Sequence, residues 1–300
     1  MGTDTLTRLA AIDIGSNAVR LLLCNVVEEH GELHFNKSEL IRVPIRLGED
    51  AFQLKRISKE REERFIKTMH AFKLLIDVYN PVTYRACATA SMREAKNGLD
   101  IVQKVKNSCG LDIEIITGKE EAELIYANHV EQKLDHDADF LYVDVGGGST
   151  EVTLFQKGIC VESRSFNIGT LRWIQGGVEK EKWYEFKDWV RQLTADLNLA
   201  AIIGSGGNIN KIHKLIGKKD KPLTYDFLKA FYDEIKILSI DERIDIWELN
   251  PDRADVIVPA AKIFLGIMKA ARIPEIIVPQ IGLADGIVHQ LFESLGQRVY

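Results

Sequence analysis

The sequence has few cysteines, and their spacing matches neither a disulfide framework nor a metal-binding motif. There are four in 300 residues, with no CxxC pair. Two of them, Cys24 and Cys87, lie in apolar runs, as reduced and buried thiols do, whereas Cys109 and Cys160 stand far from both. Four widely spaced cysteines, of which two are expected to be reduced and buried, predict a cytoplasmic location.

Long apolar segments are also missing. The longest stretch without Asp, Glu, Lys or Arg is Leu197–Asn210, 14 residues with a glycine turn inside it. A helix that spans a bilayer needs about 20 apolar residues. The first apolar run contains Asp13, and no small-residue cleavage site follows it, which argues against a secretory signal. We therefore expect neither a membrane partner nor export.

Neither sign of charge dominates the chain. It carries 44 acidic and 39 basic residues, a net charge of −5, and 46% hydrophobic residues. That balance is typical of a globular protein and gives no footprint for duplex nucleic acid, so a polyanionic ligand would need a local cationic cleft. At about 150 residues per domain, the length predicts about two domains.

Strand-like and helix-like periods alternate along the chain and predict a compact α/β fold. Residues 11–17 read AIDIGSN and residues 142–148 read YVDVGGG, so an apolar strand, an aspartate and a glycine turn occur twice. The separation is too large for a solenoid repeat of about 20–50 residues and predicts a duplicated domain whose copies face each other. We place the domains at residues 1–133 and 134–300, with the last helix a candidate to pack back on the first.

Local patterns predict several elements. Ser58 is the expected N-cap of one helix, and the capping box of Thr117 and Glu120 predicts another that continues to about Val130. Aromatic and aliphatic residues at helical spacing predict a core-facing stripe rather than a ligand site. That stripe consists of Trp183, Phe186, Trp189, Val190, Leu193 and Leu197. We also expect a strand over Ile113–Thr117 and one helix over Arg253–Ala271.

Asp13 and Asp144 each interrupt an apolar strand directly before a glycine turn. A carboxylate buried there without a partner would cost several kcal/mol. One interpretation is that each aspartate accepts hydrogen bonds from its own turn. Because the feature occurs twice, we favour carboxylates that hold a hard cation such as Mg²⁺. The turns themselves lack bulky side chains, so their N–H groups could approach phosphate oxygens closely.

Ordered blocks along nearly the whole chain resemble the exopolyphosphatase and guanosine pentaphosphate phosphohydrolase family of the actin-like ATPase superfamily. The resemblance rests on DIGSN at 13–17 with Arg20, ATASMREA at 88–95, TGKEEA at 117–122, VDVGGGSTE at 143–151, Ser165 to Arg172 around Gly169, GSGG at 204–207 and RADVIVP at 253–259. It implies two ribonuclease-H-like lobes with the active site in the cleft between them.

The resemblance also implies roles for individual residues. Glu121 is similar to the carboxylate that activates water, assisted by Glu151 as a second catalytic residue. Asp144 and Glu151 resemble a metal-binding pair, with Asp13 as a further expected ligand of Mg²⁺ or another divalent cation. The expected phosphate contacts are Ser16, Asn17, Arg20, Arg93, Gly146, Gly147, Gly148, Ser149, Gly206 and Gly207.

We therefore expect a metal-dependent hydrolase that releases terminal phosphate from inorganic polyphosphate. The alternative substrate is guanosine pentaphosphate, which presents the same terminal anhydride to the same loops. A sugar or acetate kinase shares such loops, but Glu120-Glu121-Ala122 and the absence of a sugar-binding insert argue against it. A non-catalytic polyphosphate or alarmone sensor is disfavoured by the intact acidic residues. A homodimer is a candidate assembly.

Overall fold

The computed structural model describes residues 6–29, 31–128, 138–157, 159–218 and 221–296. These residues form two compact units. Unit 1 is drawn from Met1–Asn128 together with Leu283–Tyr300, and unit 2 from His129–Gly282. The boundary expected between residues 133 and 134 lies outside the described residues and stays a prediction.

Unit 1 consists of one five-stranded sheet and its helices. Its strands are β1 Thr7–Ile14, β2 Val19–Glu29, β3 Glu32–Val43, β4 Thr83–Ala88 and β5 Glu114–Ile115. Its helices are α1 Leu47–Leu54, α2 Lys59–Tyr79, α3 Ala90–Glu94, α4 Gly98–Cys109, α5 Gly118–Tyr126 and, from the end of the chain, α13 Leu283–Ser294.

Unit 2 consists of one six-stranded sheet and its helices. Its strands are β6 Asp139–Val145, β7 Thr150–Gln156, β8 Ile159–Phe166, β9 Leu199–Ser205, β10 Leu223–Thr224 and β11 Glu275–Ile277. Its helices are α6 Thr170–Ile174, α7 Lys180–Leu193, α8 Gly207–Ile216, α9 Tyr225–Ile235, α10 Ile240–Trp247, α11 Pro251–Ala254 and α12 Ile257–Ala271.

The two sheets share one topology. The order in unit 1 is β3-β2-β1-β4-β5, and the matching part of unit 2 is β8-β7-β6-β9-β11, with β10 added at the edge. In both, the first three strands pair antiparallel and the remaining two extend the sheet in parallel from the first. The structure therefore confirms the α/β class.

The repeated aspartate-glycine segments adopt the same turn. Gly15 N–H donates to the Ala18 carbonyl oxygen at 3.2 Å, and Gly146 N–H donates to that of Ser149 at 2.9 Å. Each turn connects the first two strands of its sheet. Positions 13 and 20 face each other in unit 1, and positions 144 and 151 do so in unit 2. Equivalent positions of the two hairpins can therefore be compared directly.

Several predicted elements are confirmed. Ser58 caps α2, and the Thr117–Glu120 capping box begins α5. The stripe on α7 packs into the core of unit 2, where Phe186 and Val190 are fully buried. The remaining members of that stripe pack against the same core, as the helical spacing predicts.

Three predicted boundaries are wrong. Helix α5 ends at Tyr126 and so does not continue to about Val130, a residue outside the described range; the side chain of Asn128 donates to the Ile125 carbonyl oxygen just after this end. Strand β5 is shorter than expected because Thr117 already caps α5. The helix expected over Arg253–Ala271 is divided into α11 and α12, because Pro259 has no N–H for the carbonyl four residues earlier.

Helix α13 packs against β1 and α5 of unit 1. Its residue Gly286 lies directly against α5, since a Cβ there would be 1.6 Å from the Leu124 carbonyl oxygen. The buried face of α13 includes Ile287, Val288 and Phe292. A segment far along the sequence thus completes the core of the first unit.

Among the residues described, no helix combines the length and the apolar character required to cross a bilayer.

Candidate phosphate and metal site

The hairpin of β6 and β7 places two carboxylates opposite each other in unit 2. Asp144 is the second-to-last residue of β6 and is in register with Glu151 on β7. On the outer sides of the pair, Ser205 Oγ donates to Asp144 Oδ1 at 2.8 Å, and Ser165 Oγ donates to Glu151 Oε1 at 2.8 Å. The serines belong to the flanking strands β9 and β8. Four adjacent strands thus present a row of oxygen atoms.

The pair fits a hard divalent cation. Glu151 is buried, with 3% of its surface exposed, and Asp144 is partly buried. Two carboxylates opposite each other on paired strands repel unless a cation or a donor stands with them. Carboxylate oxygens are the ligands that Mg²⁺ and Ca²⁺ prefer. Asp144 and Glu151 could therefore hold a metal ion.

Three carbonyl groups of the glycine loop beside this pair, residues 146–149, accept hydrogen bonds from the start of α6. Thr170 N–H donates to Gly146 O at 3.0 Å, and Leu171 N–H donates to Gly147 O at 2.9 Å. The third carbonyl, that of Gly148, accepts a hydrogen bond from Arg172 Nε at 2.6 Å. All three donors come from consecutive residues at the start of α6.

Peptide planarity then fixes the direction of the loop amides. In a trans peptide the N–H points opposite to the C=O of the same unit. Because the three carbonyls point towards α6, the N–H groups of Gly147, Gly148 and Ser149 point away from it. Successive amides on one side of a loop form an anion-binding nest. The loop can therefore bind phosphate oxygens with its backbone alone.

Gly169 allows the close approach of α6 to this loop. A Cβ at this position would lie 2.4 Å from the Gly147 carbonyl oxygen and 2.5 Å from the Gly148 carbonyl carbon. Both separations are shorter than any real Cβ contact. A side chain here would push α6 and the loop apart and lengthen the hydrogen bonds that orient the amides.

A second glycine turn lies against Asp144. Gly206 has φ +102°, and a Cβ on it would be 2.7 Å from Asp144 Oδ1. Only glycine meets both conditions without strain. Helix α8 begins at Gly207, whose carbonyl accepts a hydrogen bond from Arg253 Nη1 at 2.5 Å. The predicted phosphate contacts Gly206 and Gly207 thus lie beside the predicted metal ligand.

The equivalent hairpin of unit 1 carries charges of opposite sign. Asp13 on β1 is in register with Arg20 on β2, and Arg20 Nη1 donates to Asp13 Oδ2 at 2.5 Å. Asp13 is buried, whereas the Arg20 side chain is 25% exposed. The ion pair supplies the partner that a buried aspartate requires. A metal at Asp13 stays a prediction.

The turn after Asp13 is held by the start of α1. Gly48 N–H donates to Ser16 O at 2.9 Å, and Arg46 N–H donates to Asn17 O at 3.0 Å. Since the Ser16 carbonyl points towards α1, the N–H of Asn17 points away from it. The amide of Asn17 therefore has the orientation that a phosphate contact needs.

Unit 1 also brings together Arg93 and Glu121. Their Nη1 and Oε2 atoms are 4.0 Å apart, and Arg93 Nη1 also donates to Ile116 O at 2.6 Å. Glu121 is buried in the first turn of α5. Its neighbour Glu120 is exposed, and hydrogen bonds from the Thr117 amide and hydroxyl lower its pKa. The two adjacent glutamates therefore have different environments.

The structure pairs the predicted residues within each unit: Asp13 with Arg20, Arg93 with Glu121, and Asp144 with Glu151. Glu121 in unit 1 is, like Asp144 and Glu151 in unit 2, a carboxylate that could supply a ligand to a metal ion. Sequence reasoning did not single out Ser165 or Ser205. The strand registers could have identified both, because each faces an acidic residue.

Comparisons with known proteins identify the family of this chain. The chain is 28% identical over 279 residues to a bifunctional 3-dehydroquinate synthase/phosphatase of Fusobacterium nucleatum, and this match covers 83% of this chain and 41% of the relative. It is 25% identical over 313 residues to a guanosine-5′-triphosphate,3′-diphosphate pyrophosphatase of Vibrio campbellii, covering 96% of this chain and 60% of the relative. The chain thus spans about half the length of these relatives.

A solved structure shares the fold. An exopolyphosphatase from Cytophaga hutchinsonii superposes with a TM-score of 0.84 at 21% identity, over 98% of this chain and 99% of that one. The model of the Ppx/GppA phosphatase family matches residues 26–295. With nine-tenths of its length inside that match, the chain belongs to the Ppx/GppA phosphatase family.

Proposed function

We propose that this protein is a divalent-metal-dependent hydrolase that releases the terminal phosphate of a linear phosphoanhydride. One observation in unit 2 carries the proposal: the carboxylates Asp144 and Glu151 stand at the end of the same hairpin whose loop presents the amides of 147–149. A cation site beside an anion site is the arrangement that a metal-phosphate substrate requires.

Each group would have a separate task. Asp144 and Glu151 would hold the metal ion, preferably Mg²⁺, and the amides of Gly147, Gly148 and Ser149 would bind phosphate oxygens. A bound divalent ion neutralises charge on the phosphoryl oxygens. Guanidinium groups grip two oxygens of one phosphate, which is the role we assign to Arg20 and Arg93.

Glu121 is proposed as the general base. Its carboxylate is buried, and the cation of Arg93 is near it. A base has to take a proton from the attacking water while the phosphoryl group is transferred. In the site predicted between the lobes, Glu121 would act on the same phosphate as Asp144 and Glu151. That site stays a prediction, and substitution of Glu121 tests it.

Inorganic polyphosphate is the proposed substrate, and guanosine pentaphosphate is the second candidate. The first is favoured by the fold shared with a protein named exopolyphosphatase, and the second by the relative named guanosine-5′-triphosphate,3′-diphosphate pyrophosphatase. Both molecules end in the same anhydride. Discrimination therefore has to come from groups that contact the rest of the substrate.

The finer expectations remain proposals as well. A cytoplasmic location is proposed from the wide spacing of the four cysteines. The homodimer can be tested by light scattering on the eluting peak of a size-exclusion column. A single species of about 34 kDa would refute it, because the chain mass is 33.9 kDa.

The decisive experiment measures phosphate release from polyphosphate, guanosine pentaphosphate and ATP, each with Mg²⁺ and with EDTA. We expect Mg²⁺-dependent release from at least one of the first two, and none from Asp144→Ala. Glu162→Gln, an exposed acid on β8 opposite Leu154, is the matched control and should keep full activity. Release from neither substrate, or full activity of Asp144→Ala at saturating Mg²⁺, would refute the proposal.

A further inference from the structure

Arg172 is a buried cation behind the glycine loop of unit 2. It is 8% exposed, and its Nε donates to the Gly148 carbonyl oxygen at 2.6 Å. The carbonyls of Gly146 and Gly147 are held by backbone amides of α6, whereas that of Gly148 is held by this side chain. The last peptide of the loop, Gly148–Ser149, therefore depends on a side chain for its orientation.

We infer that Arg172 is a positioning residue, which aims the Ser149 amide at the bound phosphate by fixing the Gly148 carbonyl. This inference rests on the proposed function, because it concerns the phosphate-binding loop. The guanidinium lies on the opposite side of the peptide from the Ser149 N–H, so it acts through the peptide and not by contact with substrate. A hydrogen bond to the carbonyl also polarises the peptide and strengthens its N–H as a donor.

The role requires a donor at one position rather than a positive charge. Gln and Arg both carry a nitrogen on Cδ, so Arg172→Gln keeps an N–H where Nε stands but removes the charge. Lys has a methylene at that position, so Arg172→Lys keeps the charge but removes the donor. The two variants thus separate hydrogen bonding from electrostatics at a nearly constant side-chain length.

The experiment titrates inorganic tripolyphosphate into wild type and both variants of the full chain by calorimetry with Mg²⁺ present. We expect Arg172→Gln to bind within about threefold of wild type and Arg172→Lys to bind about tenfold more weakly, as for a lost hydrogen bond to a charged ligand. Equal affinities of the two variants, or tighter binding by Arg172→Lys, would overturn the inference.

Matched controls separate this effect from loss of stability. In unit 1 the Arg85 guanidinium bonds Glu114 and Gln290, so Arg85→Gln and Arg85→Lys should change the melting temperature without changing tripolyphosphate affinity. Mn²⁺ affinity should be the same in both Arg172 variants. If these controls also weaken tripolyphosphate binding, the effect is general and the assignment is wrong.

A second measurement does not depend on the folding of any variant. In wild-type protein labelled with ¹⁵N, the amide signal of Ser149 should shift on addition of tripolyphosphate together with those of Gly147 and Gly148. A Ser149 signal that stays unchanged would overturn the inference. Wild type that binds tripolyphosphate but hydrolyses neither substrate refutes the proposed function alone, whereas wild type that does not bind tripolyphosphate refutes both.

Discussion

Glu151→Gln should stabilise the metal-free protein while it removes the metal response. In wild type, Asp144 and Glu151 occupy opposing positions on β6 and β7, so two like charges face each other when no cation is bound. Glutamine keeps the size of the side chain and its ability to accept the hydrogen bond from Ser165. It removes one negative charge and adds a donor for Asp144. The free energy of unfolding without metal should therefore rise.

The magnitude follows from the strand register. Opposing side chains on antiparallel strands are about 5 Å apart. At an effective dielectric constant of about 20, two unit charges at that distance repel by about 3 kcal/mol. The hydroxyls of Ser165 and Ser205 already offset part of this repulsion. We expect a net gain of about 1–3 kcal/mol, and each kcal/mol raises the melting temperature by about 2–4 °C for a unit of this size.

The assay is thermal unfolding of wild type, Glu151→Gln and the control Glu162→Gln, each with EDTA and with Mg²⁺. A ligand at 100 times its Kd stabilises the folded state by about 2.7 kcal/mol. Wild type and Glu162→Gln should gain stability from Mg²⁺ by that rule. Glu151→Gln should start higher in EDTA and gain little.

Two results would refute this reasoning. If Glu151→Gln melts below wild type in EDTA, then Glu151 makes a net favourable contribution in the metal-free protein and the two acids do not repel. If Mg²⁺ raises the melting temperature of the variant as much as that of wild type, Glu151 is not a metal ligand.

Three further predictions concern the other groups. Glu121→Gln should lower kcat by about two orders of magnitude, the contribution of a general base, and should leave KM nearly unchanged. Glu120→Gln should have almost no effect on activity, because glutamine also completes a capping box. Activity lost only at Glu120 would mean that the two residues have exchanged roles. Arg93→Ala should raise the KM for phosphate substrates, and unaltered kcat and KM would remove Arg93 from the site. Burial raises the pKa of the Cys87 thiol to about 12, so at pH 8 only about one molecule in ten thousand carries a thiolate there. A thiol reagent should therefore label Cys87 only after unfolding, and rapid labelling in the native protein would contradict that burial.

The repeated hairpin could be predicted from sequence because its signal is local. An apolar strand, an aspartate and a glycine turn within seven residues identify both copies, and the structure gives both the same turn. The capping box before Glu121 is local in the same sense. Such elements depend on neighbours a few residues away, so their patterns survive in the sequence.

The environment of the site could not be predicted in this way, because it depends on tertiary contacts. Arg172 is 24 residues from Gly148, and nothing beside it marks the hydrogen bond to that carbonyl. The pairing of Asp13 with Arg20 required the strand register rather than the motif. The short helices α1, α3 and α10 have only eight, five and eight residues, too few for a helical period to repeat several times.

The placement of α13 also bears on the order of folding during synthesis. Unit 2 is continuous in sequence, whereas unit 1 needs α13, which is translated after all of unit 2. Domains generally fold as units while the chain emerges from the ribosome. The second unit can therefore finish folding before the first. The surfaces of β1 and α5 that α13 covers can be buried by it only after about 150 further residues have been translated. The first half of the chain to be made can thus be the last to complete its core.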